Sequence, residues 1–228
     1  MTRSALVTAL SPPARSRVLR RLRAAWRYSL GQTNLHQGAP VFEIETTTRC
    51  NLSCRMCTRQ REIPVAQDMD LALYRRLIEE SAPFLEMVNL YGLGEPLLDP
   101  HIYERIQIAH DLGIATCIST NGMLLDEEAR ERLLDAGLDW LNVALDGMSP
   151  ETYEYYRVGG DFHTVVGNLD AFLALKKAQR ADVFVTVQMV VLPKNQHEME
   201  AFKAHWGRRE GVDVIRIKYD EFGLPGMQ

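Results

Sequence analysis

Apolar positions along the chain switch repeatedly between the short runs and alternation of strands and the three-to-four spacing of helices. Val18, Leu19, Leu22, Trp26 and Leu30 recur at helical spacing, with Arg15, Arg20, Arg21, Arg23 and Arg27 largely on the other side. That pattern predicts a basic amphipathic helix, after an irregular start marked by Ser11-Pro12-Pro13. From Val41 strand and helix signals alternate. Strands are expected over 41–48, 86–91, 114–120, 140–145, 183–192 and 212–218. Helices are expected over 70–82 behind an N-cap at Asp70, over 100–112 stopped by Gly113, and over 126–136 stopped by Gly137. Further helical stretches cover 150–157 and 162–179, parted by Gly159-Gly160, and 196–208.

Six strands separated by helices at this spacing require parallel pairing with right-handed crossovers. The choice lies between an open doubly wound sheet and a whole or partial barrel. In either, ligands gather at the carboxyl ends of the strands. The unusual residues sit at those ends: the cysteine loop after the first strand, Gly92–Pro96 after the second, Ser119–Gly122 after the third, and Asp146-Gly147 after the fourth. They converge on one rim.

Composition narrows the class. The 228 residues are 46% apolar and 25% charged, with a net charge of −4, as in a water-soluble globular protein with one substantial core. The stretch Val183–Pro193 falls far short of a membrane span, so no transmembrane segment is expected. The charge is unevenly spread. Residues 1–42 hold seven arginines and no acid, and the remainder holds 19 basic and 30 acidic residues. An acidic body with a basic front is not a general polyanion binder, and no nucleic-acid partner is expected. We divide the chain into a basic amphipathic extension, 1–40, and a core domain, 41–228. The extension helix could touch an acidic membrane surface or belong to a targeting segment. The simpler expectation is that it packs on the acidic body of its own chain.

Cysteine placement carries the chemistry. Three of the four cysteines, Cys50, Cys54 and Cys57, fall within eight residues, unlike a secreted disulfide framework. They read as metal ligands kept reduced, which implies a cytoplasmic location. Cys117 lies mid-strand and is expected to be buried as a small hydrophobe. Three thiolates on a four-iron cluster leave one iron open, and an open position distinguishes a catalytic metal site from a closed structural one. Zinc is the alternative, but a structural zinc site needs a fourth ligand, and His36 and His101 are remote in sequence.

The run Cys50-Asn51-Leu52-Ser53-Cys54-Arg55-Met56-Cys57 after a first strand resembles the hallmark of the radical S-adenosylmethionine superfamily, and the resemblance covers about residues 42–218. It implies a partial (βα)6 barrel, TIM-like, in which Cys50, Cys54 and Cys57 hold a [4Fe–4S] cluster. S-adenosylmethionine chelates the fourth iron and is reductively cleaved to a 5′-deoxyadenosyl radical that abstracts hydrogen from a substrate. Gly92-Leu93-Gly94-Glu95-Pro96 resembles the family's Gly-Gly-Glu-Pro element, with Leu93 a departure, so Gly94 and Glu95 are implied in binding the cofactor's amino group. Ser119 and Asn121 resemble the third-strand segment near the ribose, and Gln188 is a weaker candidate for the same role. Met56 stands where the family often has an aromatic residue. The resemblance also implies an electron donor such as a flavodoxin or ferredoxin, and a small-molecule or peptide substrate. Relatives with this style of motif include peptide maturases of the SPASM type with a second cysteine-rich domain. No cysteine follows Cys117 here, so this chain cannot ligate such auxiliary clusters with thiolates.

No residue is singled out for substrate chemistry. His101, His110, His163, His197 and His205 are expected in solvent or core duty. Arg157 could reach an anion on the rim, but a helix-end salt bridge is the preferred expectation. A cluster-binding module without catalysis remains the competing functional reading. Only ten residues follow Lys218, too few for a sixth crossover helix. Val212, Val214, Ile215 and Ile217 are therefore expected to be partly exposed, with the core domain completed by a partner or a further segment.

Overall fold

The computed structural model describes residues 12–32, 38–59 and 65–219. His36 and the tail from residue 220 lie outside them, as does Ser11. Six parallel strands form one sheet in sequence order: β1 (Val41–Glu43), β2 (Met87–Asn89), β3 (Ala115–Thr120), β4 (Trp140–Ala144), β5 (Phe184–Val191) and β6 (Val214–Tyr219). Register is continuous, with Phe42 opposite Val88, Val88 opposite Thr116, Ile118 opposite Leu141, Leu141 opposite Val185 and Val187 opposite Ile215. The sheet curls into a half-barrel, as the alternating pattern predicts for parallel strands with helical crossovers.

The helices are α1 (Pro12–Ser29), α2 (Leu71–Ser81), α3 (Ile102–Asp111), α4 (Glu127–Asp135), α5 (Pro150–Tyr156), α6 (Phe162–Gln179) and α7 (Met199–Trp206). Side-chain caps set several starts. Asp70 accepts from Leu73 N, Asp126 from Ala129 N, Ser149 from Thr152 N and Asp161 from Thr164 N, each satisfying an otherwise orphaned first-turn N–H. Gly113 and Gly137 close α3 and α4 with positive φ, where a Cβ would be strained. The helices bury one face against the sheet, in a core that includes Ile106, Ile118, Leu141, Val143, Leu169, Phe172 and Val187.

Three differences from the sequence pattern have physical causes. The first strand is only Val41–Glu43, because its continuation leaves the ladder to feed the cysteine loop. The helical stretch 196–208 divides into a 3₁₀ turn, Gln196–Glu198, and α7. At that junction Glu198 is buried, accepting from Met148 N and from the hydroxyls of Ser149 and Thr152. Finally, α1 does not lay its apolar stripe on the body. It makes an Arg21–Glu86 ion pair, while Leu19, Leu22, Trp26 and Leu30 are exposed. β6 is partly open, as expected: Val214 is exposed, and Val212, Ile215 and Ile217 are half-buried.

Candidate cofactor site at the strand ends

The cysteine loop has little regular structure of its own and is held from outside. Ser53 N donates to Val158 O and Arg55 N to Tyr156 O, each at 2.9 Å. Leu52 is buried, and Asn121 Nδ2 donates to Asn51 Oδ1 at 2.8 Å. At the loop's start Glu95 N donates to Arg49 O at 2.7 Å, and Arg49 pairs with Asp68. The Gly92–Pro96 segment is pressed against this start. A Cβ on Gly94 would stand 2.0 Å from Thr47 O, a distance no real Cβ adopts. Glycine at 94 is therefore required for the two backbones to meet. Glu45 completes the clamp by accepting from Leu93 N at 2.5 Å and Gly94 N at 2.9 Å.

A cavity of about 370 Å³ opens at the carboxyl ends of the strands, within the size range of small-molecule sites. Cys50, Cys54 and Cys57 line it together with Gly94, Glu95, Ser119, Asn121 and Gln188, so every residue singled out as a ligand faces one space. Tyr91, Arg157, Val190 and Lys218 also line it.

Several of these side chains already have partners. Glu95 is buried, with Oε1 accepting from Thr120 Oγ1 at 2.7 Å and Leu97 N at 3.2 Å, and Oε2 from Asn121 N at 2.7 Å. Burial pushes its carboxyl pKa up, while those hydrogen bonds pull the other way. Oε2 keeps the capacity for one more donor. Asn121 Oδ1 accepts from Met123 N at 2.9 Å, so with Asn51 the side chain is committed to shaping the loop. Ser119 Oγ accepts from Asn142 Nδ2 at 2.7 Å and keeps its own proton to give. Gln188 Oε1 and Asn142 Oδ1 are buried without a hydrogen-bond partner among the described residues, and of the two residues Gln188 lines the cavity.

Arg157 combines the two roles weighed for it. Its Nε and Nη2 donate to Asp146 Oδ2 at 2.8 and 2.6 Å, and its Nη1 lies 3.8 Å from Cys54 Sγ. Asp146 is fully buried, and its Oδ1 accepts from Val190 N at 2.7 Å. Burial is the largest single influence and opposes the charge on Arg157, but Asp146, Cys54 and Tyr153 together outweigh it and hold the guanidinium protonated. The thiols of Cys50 and Cys54 are pushed up by burial, and Arg157 counteracts this at Cys54. Cys117, buried within β3, is pushed up to about 12 and does not line the cavity.

The donor set fits a four-iron cluster. Three soft thiol ligands on one loop face a common space with a cation beside one of them, and no fourth cysteine lines that space. A closed zinc site would need four ligands converging on one ion. Among the described residues no three His, Cys, Asp or Glu side chains stand close enough to share a single ion, the three cysteines included. Glu45, Asn51 and the contact of Arg157 with Cys54 escaped the sequence reading, since nothing local marks a long-range partner.

The comparisons agree with this geometry. The family model of the Radical SAM superfamily matches residues 44–204. The chain is 30% identical over 164 residues to an Fe-coproporphyrin III synthase of Methanosarcina barkeri, covering 71% of this chain and 39% of that protein. It is 37% identical over 134 residues to a GTP 3',8-cyclase of Chlorobaculum tepidum, covering 58% and 40%. The chain thus spans well under half the length of these curated relatives. Among solved structures, Streptococcus suis SuiB bound to precursor peptide SuiA superposes with a TM-score of 0.65 at 16% identity, covering 92% of this chain and 45% of that one. Methylornithine synthase (PylB) superposes at 0.60 and 19% identity, covering 95% and 62%. With the family match running over most of the chain and the three cysteines gathered at the strand ends, the protein belongs to the radical SAM superfamily.

Proposed function

We propose that this chain carries the catalytic core of an enzyme that reductively cleaves S-adenosylmethionine and uses the resulting 5′-deoxyadenosyl radical to abstract hydrogen from a small-molecule or peptide substrate. The observation that carries this reading is the convergence of Cys50, Cys54 and Cys57 with Gly94, Glu95, Ser119, Asn121 and Gln188 around one cavity. Bound there, a [4Fe–4S] cluster with an open iron supplies the electron and the coordination position for the cofactor.

The chain's own groups do the rest. Cys50, Cys54 and Cys57 hold the cluster by their thiolates, and Arg157, fixed by Asp146, offsets negative charge at Cys54. Gly94 and Glu95 would receive the cofactor's amino end, since the remaining acceptor site of Glu95 suits a cationic amine. Ser119 donates from its free proton, and Gln188 offers an unpartnered carbonyl toward a ribose hydroxyl. Asn121 acts on the ribose side chiefly by fixing the loop. The reductant is an external donor such as a flavodoxin or ferredoxin, and the chain works in a reducing, cytoplasmic compartment. Residues 41–228 form the radical-generating domain, and residues 1–40 are an extension outside it.

Anaerobic reconstitution of the full chain with iron and sulfide tests this. The expected result is about four irons and four sulfides per chain, with release of 5′-deoxyadenosine and methionine on reduction. Replacing Cys50, Cys54 or Cys57 by Ala should abolish cofactor cleavage and most of the iron–sulfur absorption. Cys117→Ala should keep the cluster and cost about 1–2 kcal/mol of packing. A bound cluster without cleavage would favour the non-catalytic module, and one zinc per chain would overturn the reading.

A further inference from the structure

The extension helix leaves its apolar face uncovered, unlike an ordinary surface helix. At about 3.6 residues per turn, Leu19, Leu22, Trp26 and Leu30 form one narrow stripe. Arg21 and Ala24 lie on the opposite side. On that opposite side Arg21 pairs with Glu86 of the body, yet Tyr28 beside it is 76% exposed, so the helix touches the body without burying a face on it. The stripe is uncovered as well, with Leu19 54%, Leu22 61%, Trp26 67% and Leu30 57% exposed. Four large apolar side chains on one helix face are seldom left in water unless something covers them.

Charge says what can cover them. No acid precedes Glu43, so the only charged side chains of this segment are arginines. Arg23, beside the stripe, is itself exposed. A second copy of the same face would bring two arginine-rich helices together, at a repulsive cost. An apolar stripe with Trp, whose charged neighbours are all cations, matches an anionic lipid surface: the aliphatic and indole groups enter the interface while guanidinium groups stay at headgroup level. Placement agrees. Glu86 immediately precedes β2, at the amino end of the strands, while the cavity opens at their carboxyl ends. A helix docked there leaves the cavity mouth uncovered.

We infer that α1 is an interfacial anchor that docks this protein on anionic membranes through Leu19, Leu22, Trp26 and Leu30. The inference is independent of the radical chemistry. Co-sedimentation of the full chain with vesicles of phosphatidylcholine and phosphatidylglycerol, against phosphatidylcholine alone, tests it. Binding is expected only to the anionic vesicles and is expected to weaken as salt rises. The double variant Leu22→Asp with Trp26→Asp should abolish it, with an unchanged circular dichroism spectrum of the body. Arg23→Gln should weaken it about fivefold, the effect of one cation near an anionic surface. A folded full chain that ignores anionic vesicles, or binds them equally well in the double variant, would overturn the anchor. So would a dimer that the double variant dissociates in the absence of any lipid binding, which assigns the stripe to a second copy.

Discussion

The two walls of the cavity are built on opposite principles. The wall formed by the strand ends is held by buried polar groups that pair with one another, Glu95 with Thr120 and Asn121 and Asp146 with Arg157 and Val190, beside the unpartnered carbonyl of Gln188. The cysteine wall is a loop with half-buried thiols and few internal bonds, among them Cys57 N to Cys54 O. Its shape comes from anchors supplied by distant residues. The contrast teaches that the ligand loop borrows its geometry. Pre-organisation of the three thiols therefore depends on residues that never touch a metal, in the way outer partners orient metal ligands elsewhere.

This contrast can be broken at the strand wall first. Asp146→Ala would leave the guanidinium of Arg157 buried without its carboxylate. Removing one partner of a buried pair costs about 3–5 kcal/mol, and urea unfolding should show a loss of that size. It should also loosen the bond from Arg55 N to Tyr156 O, since Tyr156 adjoins Arg157. Glu95→Ala comes next. It orphans the Thr120 hydroxyl and the Asn121 N–H, and a destabilisation of about 1–3 kcal/mol is expected. Weaker binding of S-adenosylmethionine to the reconstituted protein, read by titration of the cluster signal, should accompany it. Unchanged affinity would restrict Glu95 to holding the turn. The smallest effect is expected in the loop itself. Asn51→Ala removes one partly exposed hydrogen bond to Asn121, which is worth about 1 kcal/mol. If Asn51→Ala destabilised the chain more than Asp146→Ala, the loop would be the stronger wall and the comparison would be reversed.

Legibility in the sequence divides along the same line. Helix α6 runs from Phe162 to Gln179 as its periodicity and the preceding glycine pair indicate, and Asp70 caps α2 as its position before the apolar run indicates. These are local signals, carried by period and by capping chemistry. That the candidate ligands share one rim was legible too, because the spacing of Cys50, Cys54 and Cys57 and the placement of unusual residues after the first four strands are properties of the linear chain, and these residues line one cavity. What was not legible is whatever one segment does to another. Gly94 was implied in binding the cofactor's amino group, and nothing local showed that its backbone is also pressed against Thr47 O. Glu45 looked like an ordinary strand residue and accepts two N–H bonds from the Gly92–Pro96 segment. The amphipathic pattern of α1 gave the helix but not its facing, because a moment has a direction only relative to the body it meets.

The anchoring of the cysteine loop has a consequence for the order in which the protein comes into being. Because neighbouring strands in the sheet are also consecutive in the chain, each unit can add to the one before it as the polypeptide emerges, and the sheet grows from one side. The cysteines are synthesised near the beginning of that process. The carbonyls of Tyr156 and Val158, which fix Ser53 and Arg55, arrive about a hundred residues later. Until then the three thiols sit on a segment that Glu95 and Asn121 can hold only at Arg49 and Asn51, free to be oxidised or to take a stray metal. A nascent chain therefore gains a shaped ligand loop only after β4 and α5 have left the ribosome, and productive cluster delivery is confined to the period that follows.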